Sequence, residues 1–154
     1  MKITENLFRK FKSLASEVKE DLRSRGIVVP ISTKNGVKLG NYTVIKLENG
    51  FYSVVDIRGR VVHDKINLPQ TALLIANDLA LGKWGNISLL EVDKEYGFSD
   101  FERTNYRRLS ELYVKQGNWD KFEAVDTKWR SAEKRAERSM QIIIQSFEKL
   151  RHLR

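Results

Sequence analysis

Apolar residues recur at steps of mostly three and four from Trp119 to Leu150: Trp119, Phe122, Val125, Trp129, Ala132, Ala136, Met140, Ile143, Phe147 and Leu150. That period places them on one side of a single helix, as a heptad-like seam about four heptads long. At about 1.5 Å per residue such a helix spans about 50 Å. A compact domain within 154 residues does not need that length. The spacing therefore predicts a helix that, over part of its length, projects from its domain or packs against another chain.

A second helix leads into it. Ser99-Asp100-Phe101-Glu102 reads as a capping box, with the Ser hydroxyl accepting the N–H three residues on and the Glu reaching back. From there a helix is predicted to about Gln116, with Phe101, Leu109, Leu112 and Tyr113 apolar. Gly117 stops it and Asn118 caps the next. Leu109-x-x-Leu112-Tyr113, Gly117, Trp119 and Phe122 resemble the helix-turn-helix core of a tetratricopeptide repeat. There is no second copy, and bulky Phe122 stands where that family has a small residue, so an ordinary helical hairpin is the reading adopted. From Arg103 onward this hairpin carries 13 basic against 7 acidic residues, in a chain of net charge +8.

Within the last helix, Arg130, Lys134 and Arg138 lie four apart and share a face, and Lys121, Lys128 and Arg135 lie seven apart on an adjacent strip. Like charges at such spacings repel on an isolated helix. Asp126 can relieve Arg130, and Glu137 can relieve Lys134. These six residues form the candidate binding face, for an acidic protein surface or for a phosphate backbone. Trp119, Phe122 and Trp129 lie on the apolar seam and read as core, not as stacking platforms for bases.

The rest of the chain is organised differently. Leu7, Phe11, Leu14, Val18 and Leu22 predict an amphipathic helix over about residues 5–25, stopped by Gly26. Between Ile27 and Ile66, three turn signals punctuate a β region: Asn35-Gly36, Asn49-Gly50 and Arg58-Gly59. A two-residue turn at Asn49-Gly50 would set Ile45 opposite Val54 and Val44 opposite Val55. Both faces would then be apolar, so the meander calls for cover on both sides. Pro69 in a first turn opens the next helix, which runs to about Leu81, stops at Gly82 and is apolar round most of its circumference. Residues 82–97 hold a loop at Trp84-Gly85-Asn86 and a short helix over about Ile87–Tyr96.

These elements give an α+β fold: an N-terminal helix, a small antiparallel β meander packed on a buried helix, and a long C-terminal helical hairpin. The division is an α+β core domain over residues 1–97 and a basic hairpin over 98–154. From Ile27 to Glu102 the chain is nearly neutral, 8 basic against 9 acidic residues, so the positive charge is segregated to the helical ends.

Few chemistries fit this composition. With no cysteine, disulfides, thiolate metal sites and cysteine nucleophiles are excluded. His63 and His152 stand far apart, so no metal or cofactor is expected. Glu91, Asp93 and Glu95 read as a solvated acidic turn. Asp56 and Asp64 bracket a hairpin without forming a defined carboxylate pair. Triad signatures and phosphate-binding glycine loops are absent. The expectation is a non-enzyme with no small-molecule substrate. Met1–Lys10 has no apolar run of signal-peptide length. The longest apolar stretch, Ala72–Leu81, is too short for a bilayer, so neither secretion nor membrane insertion is expected.

The hairpin sequence Gly40–Val44, Gly50–Val54 and Val61-Val62, followed by Ile66–Ala72 and a charged helical tail ending Ser146–Leu150, resembles small proteins encoded by tailed bacteriophages, including those of marine cyanobacteria. That resemblance implies a viral origin, a place in the virion or the host cytoplasm, and no particular chemistry. Together these readings point to an assembly protein, a virion structural or accessory component that contacts itself or another protein through the hairpin. The alternative is a nucleic-acid-binding protein using the basic face.

Overall fold

A computed structural model describes residues 30–32, 36–83 and 87–151. The predicted N-terminal helix, Asn35 of the first turn signal, and the Trp84-Gly85-Asn86 loop lie outside these residues. Within them the chain is α+β. Five antiparallel strands, in sequence order across the sheet, are followed by three helices. They are β1 (Pro30–Ser32), β2 (Gly36–Leu39), β3 (Tyr42–Lys46), β4 (Tyr52–Val55) and β5 (Val61–Ile66), then α1 (Pro69–Ala80), α2 (Ile87–Gln116) and α3 (Trp119–Arg151).

The turns differ from the expected ones in a way that resets the register. The two-residue turn of the sheet is Gly40-Asn41, which places Leu39 opposite Tyr42, with Gly40 at φ 59°. Asn49-Gly50 belongs instead to a three-residue loop. Leu47 N donates to Phe51 O at 2.8 Å, Gly50 N donates to Leu47 O at 3.0 Å, and Gly50 takes φ 88°. This is the turn-plus-bulge hairpin, in which glycine supplies the left-handed residue. The same pattern recurs at Asp56–Arg60, with Gly59 at φ 80°.

The added loop residue moves the pairing by one. Val44 faces Val54, not Val55, and Ile45 faces Ser53, not Val54. Because side chains alternate, the slip gathers Val37, Leu39, Val44, Tyr52, Val54 and Ile66 into one buried face. The other face is half-buried at Ile45 and Val55 and open at Val61.

The buried face packs on α1, every residue of which from Pro69 to Asn77 is buried. Pro69 occupies the first turn, and Gly82, at φ 77°, ends the helix by donating to Leu79 O at 3.0 Å. On its other side α1 meets the hairpin, whose Leu89, Tyr96, Ala136, Ile143 and Phe147 join the same core.

The hairpin itself corrects two expectations. The helix predicted from Ser99 and the short one before it are a single 30-residue helix, which runs without a break through the expected boundary at residue 97. Ser99 is therefore no cap: it is buried, and its hydroxyl donates to Glu95 Oε1 at 3.0 Å. Gly117, at φ 66°, does end α2, and the Asn118 side chain caps α3 by accepting from Lys121 N at 3.3 Å.

Burial divides the hairpin lengthwise. Its inner half is seated on the core. From Asp100 to Ser131 no residue is buried, so among the described residues this outer half extends past the sheet and α1 as two helices packed on each other.

Candidate functional site

The six basic residues of the candidate face are separated by the fold. Arg135 turns toward α2, donating to Glu102 Oε2 at 2.9 Å and lying 4.0 Å from Glu95. The Glu102 hydrogen bond holds its guanidinium pKa above the usual value. Lys121 lies over the Tyr113 ring, 5.8 Å from its centroid. Arg130 pairs with Asp126 at 3.0 Å, as the spacing of four predicts. Lys128, Lys134 and Arg138 are exposed, with no ion-pair partner among the described residues. Arg135 thus joins the two helices, and Lys121 is drawn onto α2 by the cation–ring contact.

Arg130, Lys134 and Arg138 remain together on the side of α3 opposite its buried seam. Here Asp126, Thr127, Arg130, Ser131 and Lys134 line a shallow depression of about 540 Å³. The small side chains of Thr127 and Ser131 form its floor between longer charged neighbours. Acidic residues share the face: Asp120 in the first turn, Glu123 and Asp126 after it, and Glu137 farther along. Its charge is mixed.

The hairpin also exposes apolar surface, mostly in its outer half. On α2, Phe98 and Phe101 are 61% and 66% exposed, and Leu109 and Leu112 are exposed on the same side, within an arc of about 80°. Trp119, 60% exposed at the tip, meets Phe122 edge to face with centroids 5.9 Å apart. Sequence spacing identified the α3 seam but missed this second apolar stripe. Leu109 and Leu112 were visible as apolar positions, without a sign that they face outward.

A polar cluster lies where the hairpin meets the core. Leu68, the N-cap of α1, has no side chain able to accept a hydrogen bond. Asp93 supplies the acceptor from α2. Its Oδ1 accepts from Leu68 N at 2.9 Å, and its Oδ2 from Asn67 N at 2.8 Å and from Asn67 Nδ2 at 3.2 Å. Asp93 is only 2% exposed, so the expectation of a solvated acidic turn is corrected. Burial raises its pKa, and the Asn67 and Leu68 N–H groups partly offset that rise. The Thr71 hydroxyl lies near the carboxylate without meeting hydrogen-bond geometry. The sequence signal for this cap was a helix start lacking its own capping side chain.

The chain has no match among protein-family models, curated proteins or solved structures.

The cluster is built to hold the structure together. Both Asp93 oxygens are occupied by N–H donors from the junction of β5 and α1. A neighbouring cavity of about 400 Å³ is lined by His63, Asp64, Lys65, Glu91 and Lys94 among others. Within it, Asp64 accepts from Ser53 Oγ at 2.7 Å and from Lys65 N at 2.8 Å. The Ser53 bond, the larger effect, holds the Asp64 carboxyl below the usual range. Asp56 serves its own turn, accepting from Arg58 N and Arg60 N at 2.9 Å. Asp56 and Asp64 therefore do separate jobs. Among the described residues no group of three or more His, Asp or Glu is placed to hold a metal ion, and no helix is long and apolar enough to cross a membrane.

Gly97 marks how closely α2 approaches this cluster. A Cβ there would overlap the Asn67 side-chain amide. Asn67 can swing aside, but it would then give up its bond to Asp93. Gly97→Ala is expected to lower stability by about 1–2 kcal/mol in urea unfolding.

Proposed function

We propose that the protein is a non-enzymatic assembly component that acts through its C-terminal helical hairpin. By its resemblance to small tailed-phage proteins, it serves in or around a virion. The observation that carries this reading is the outer half of the hairpin. It spans Asp100 to Ser131 without a buried residue and leaves Phe101, Leu109, Leu112 and Trp119 exposed. Two helices alone bury too little to be robust, because helices in proteins draw most of their stability from tertiary packing. Exposed apolar surface of this kind marks protein interaction sites.

A photo-crosslinking residue at Leu112 or Trp119, in the cells that make the protein, tests the reading. The expected result is a discrete adduct containing a protein, absent when the probe stands at Glu48 in the β3–β4 loop. No adduct at either hairpin site would overturn it. Nucleic acid bound at low salt and released steeply with added salt would favour the alternative of a basic binding face.

A further inference from the structure

The charges on the outer face of α3 are ordered along the helix. Asp120, Glu123 and Asp126 occupy its first two turns, and Arg130, Lys134 and Arg138 the next three. Asp126 and Arg130 pair with each other where the two halves meet. Among the described residues, Asp120, Glu123, Lys134 and Arg138 have no ion-pair partner in their own chain. The face therefore offers two unpaired acids at one end and two unpaired bases at the other.

Such an arrangement complements itself when turned end to end. An antiparallel copy, related by a two-fold axis passing beside Lys128 and Trp129, brings position 120 level with 138, 123 with 134 and 126 with 130. Each match holds to within one residue, about 1.5 Å along the axis. The flanks agree as well. At about 100° per residue, Asp120 and Arg138 lie on one margin of the face, Asp126 and Arg130 on the other, and Glu123 and Lys134 at its centre. A two-fold axis perpendicular to antiparallel helices keeps each margin facing its own counterpart, which an isologous interface requires. The depression over Thr127 and Ser131 lies beside that axis, and small residues there let helices approach. Glu137 interrupts the basic half and comes level with Asp120 of the partner subunit, but at about 100° per residue it stands on the opposite margin of the face.

We propose that this face of α3 binds the same face of a second copy of the chain, antiparallel, pairing Asp120 and Glu123 with Arg138 and Lys134 of the partner subunit, while the Asp126–Arg130 pairs of the two chains meet between them. The inference rests on the reading of the hairpin as an assembly element and names one of its partners. A polyanion is the poorer occupant. The three acids lie on the same face, and those nearest the bases fall within about one Debye length at physiological salt. Exposed ion pairs are individually weak in water and screened by salt. The contact is accordingly a salt-sensitive one.

Sedimentation equilibrium of the full chain tests it. Wild type is expected to dimerise at low salt, with a dissociation constant that rises at least tenfold between about 50 and 500 mM salt. E123K and K134E, each alone, are expected to raise that constant at least tenfold. Mixed one to one they are expected to form a heterodimer, because each then offers what the other lacks. The double variant E123K/K134E, with the two charges exchanged, is expected to dimerise within threefold of wild type. A wild type that stays monomeric at about 1 mM and low salt, or single variants that fail to combine, would overturn the proposal. If crosslinks from Leu112 or Trp119 still captured another protein, the broader assembly reading would survive that result.

Discussion

Replacing Asp93 by alanine is expected to cost about 2–4 kcal/mol of folding stability, because the buried N–H groups of Asn67 and Leu68 would lose their acceptors. The carboxylate ties three elements at one point: the end of β5, the start of α1 and the second turn of α2. Its removal should therefore loosen the seating of the hairpin on the core, beyond fraying one helix end. Asp93→Asn should be nearly as costly, since its amide turns one acceptor into a donor that faces a donor. The pH dependence separates charge from shape. Burial raises the Asp93 pKa above its unfolded value of 3.8, so the folded chain holds this proton more tightly than the unfolded one. The ionised carboxylate thus carries a cost above that range, relieved as pH falls through it. Urea unfolding of wild type and Asp93→Asn at stepped pH should show the wild-type advantage growing as pH is lowered toward 4. An advantage that shrank on acidification would show that the hydrogen bonds, not burial, set this titration.

The second large effect is expected at Gly36. This residue pairs with Ile45 across β2 and β3, and a Cβ there would collide with the carbonyl oxygen of Val44. The obstacle is backbone at the centre of the sheet, beside the fully buried Val44 side chain, and it has no side-chain freedom with which to yield. Gly36→Ala must push the two strands apart and should cost about 3 kcal/mol or more, at the upper end for overpacking. In thermal unfolding that is a fall of roughly 6–12 °C for a domain of this size. Gly50→Ala is the control. Its φ of 88° disfavours any side chain, but nothing lies within 4 Å of the added atom, so the loss should stay near 1 kcal/mol. Gly36 has no left-handed φ, so a loss no larger than that at Gly50 would mean that β2 and β3 yield readily to the added atom.

Most of the helical frame was legible in the sequence, and the reasons can be stated residue by residue. Pro69 and Gly82 bracket α1, and Gly117 with Asn118 separates α2 from α3, because each acts through its own backbone geometry. The α3 seam was readable because its period is long and regular. Ser99 misled for the converse reason. A capping box is a local pattern, while α2 arrives from upstream with Leu89, Asp93 and Tyr96 already on its inward side at steps of four and three. The Asn49-Gly50 signal fits a two-residue or a three-residue loop equally well, and only pairing along the whole strand selects between them. Spacing placed the six basic residues on two strips of one helix. It could not say which strip faces α2, so the inward turn of Arg135 onto Glu102 was hidden. Asp93 was hidden as well, since its partners lie 25 and 26 residues away.

The edge formed by β5 carries a last consequence. An edge strand is a template for sheet-to-sheet aggregation, and β5, outermost among the described strands, exposes Val61 and Val62. Its ladder to β4 is irregular, however: the register shifts twice between Tyr52 and Val55. Lys65 takes a left-handed φ of 55°, rare outside glycine. His63, Asp64 and Lys65 follow the two valines, which puts polar and charged groups on an edge that is also twisted out of line. A second sheet could find no straight row of N–H and C=O groups there to extend. Along β5 the sheet is therefore a poor template for a second sheet.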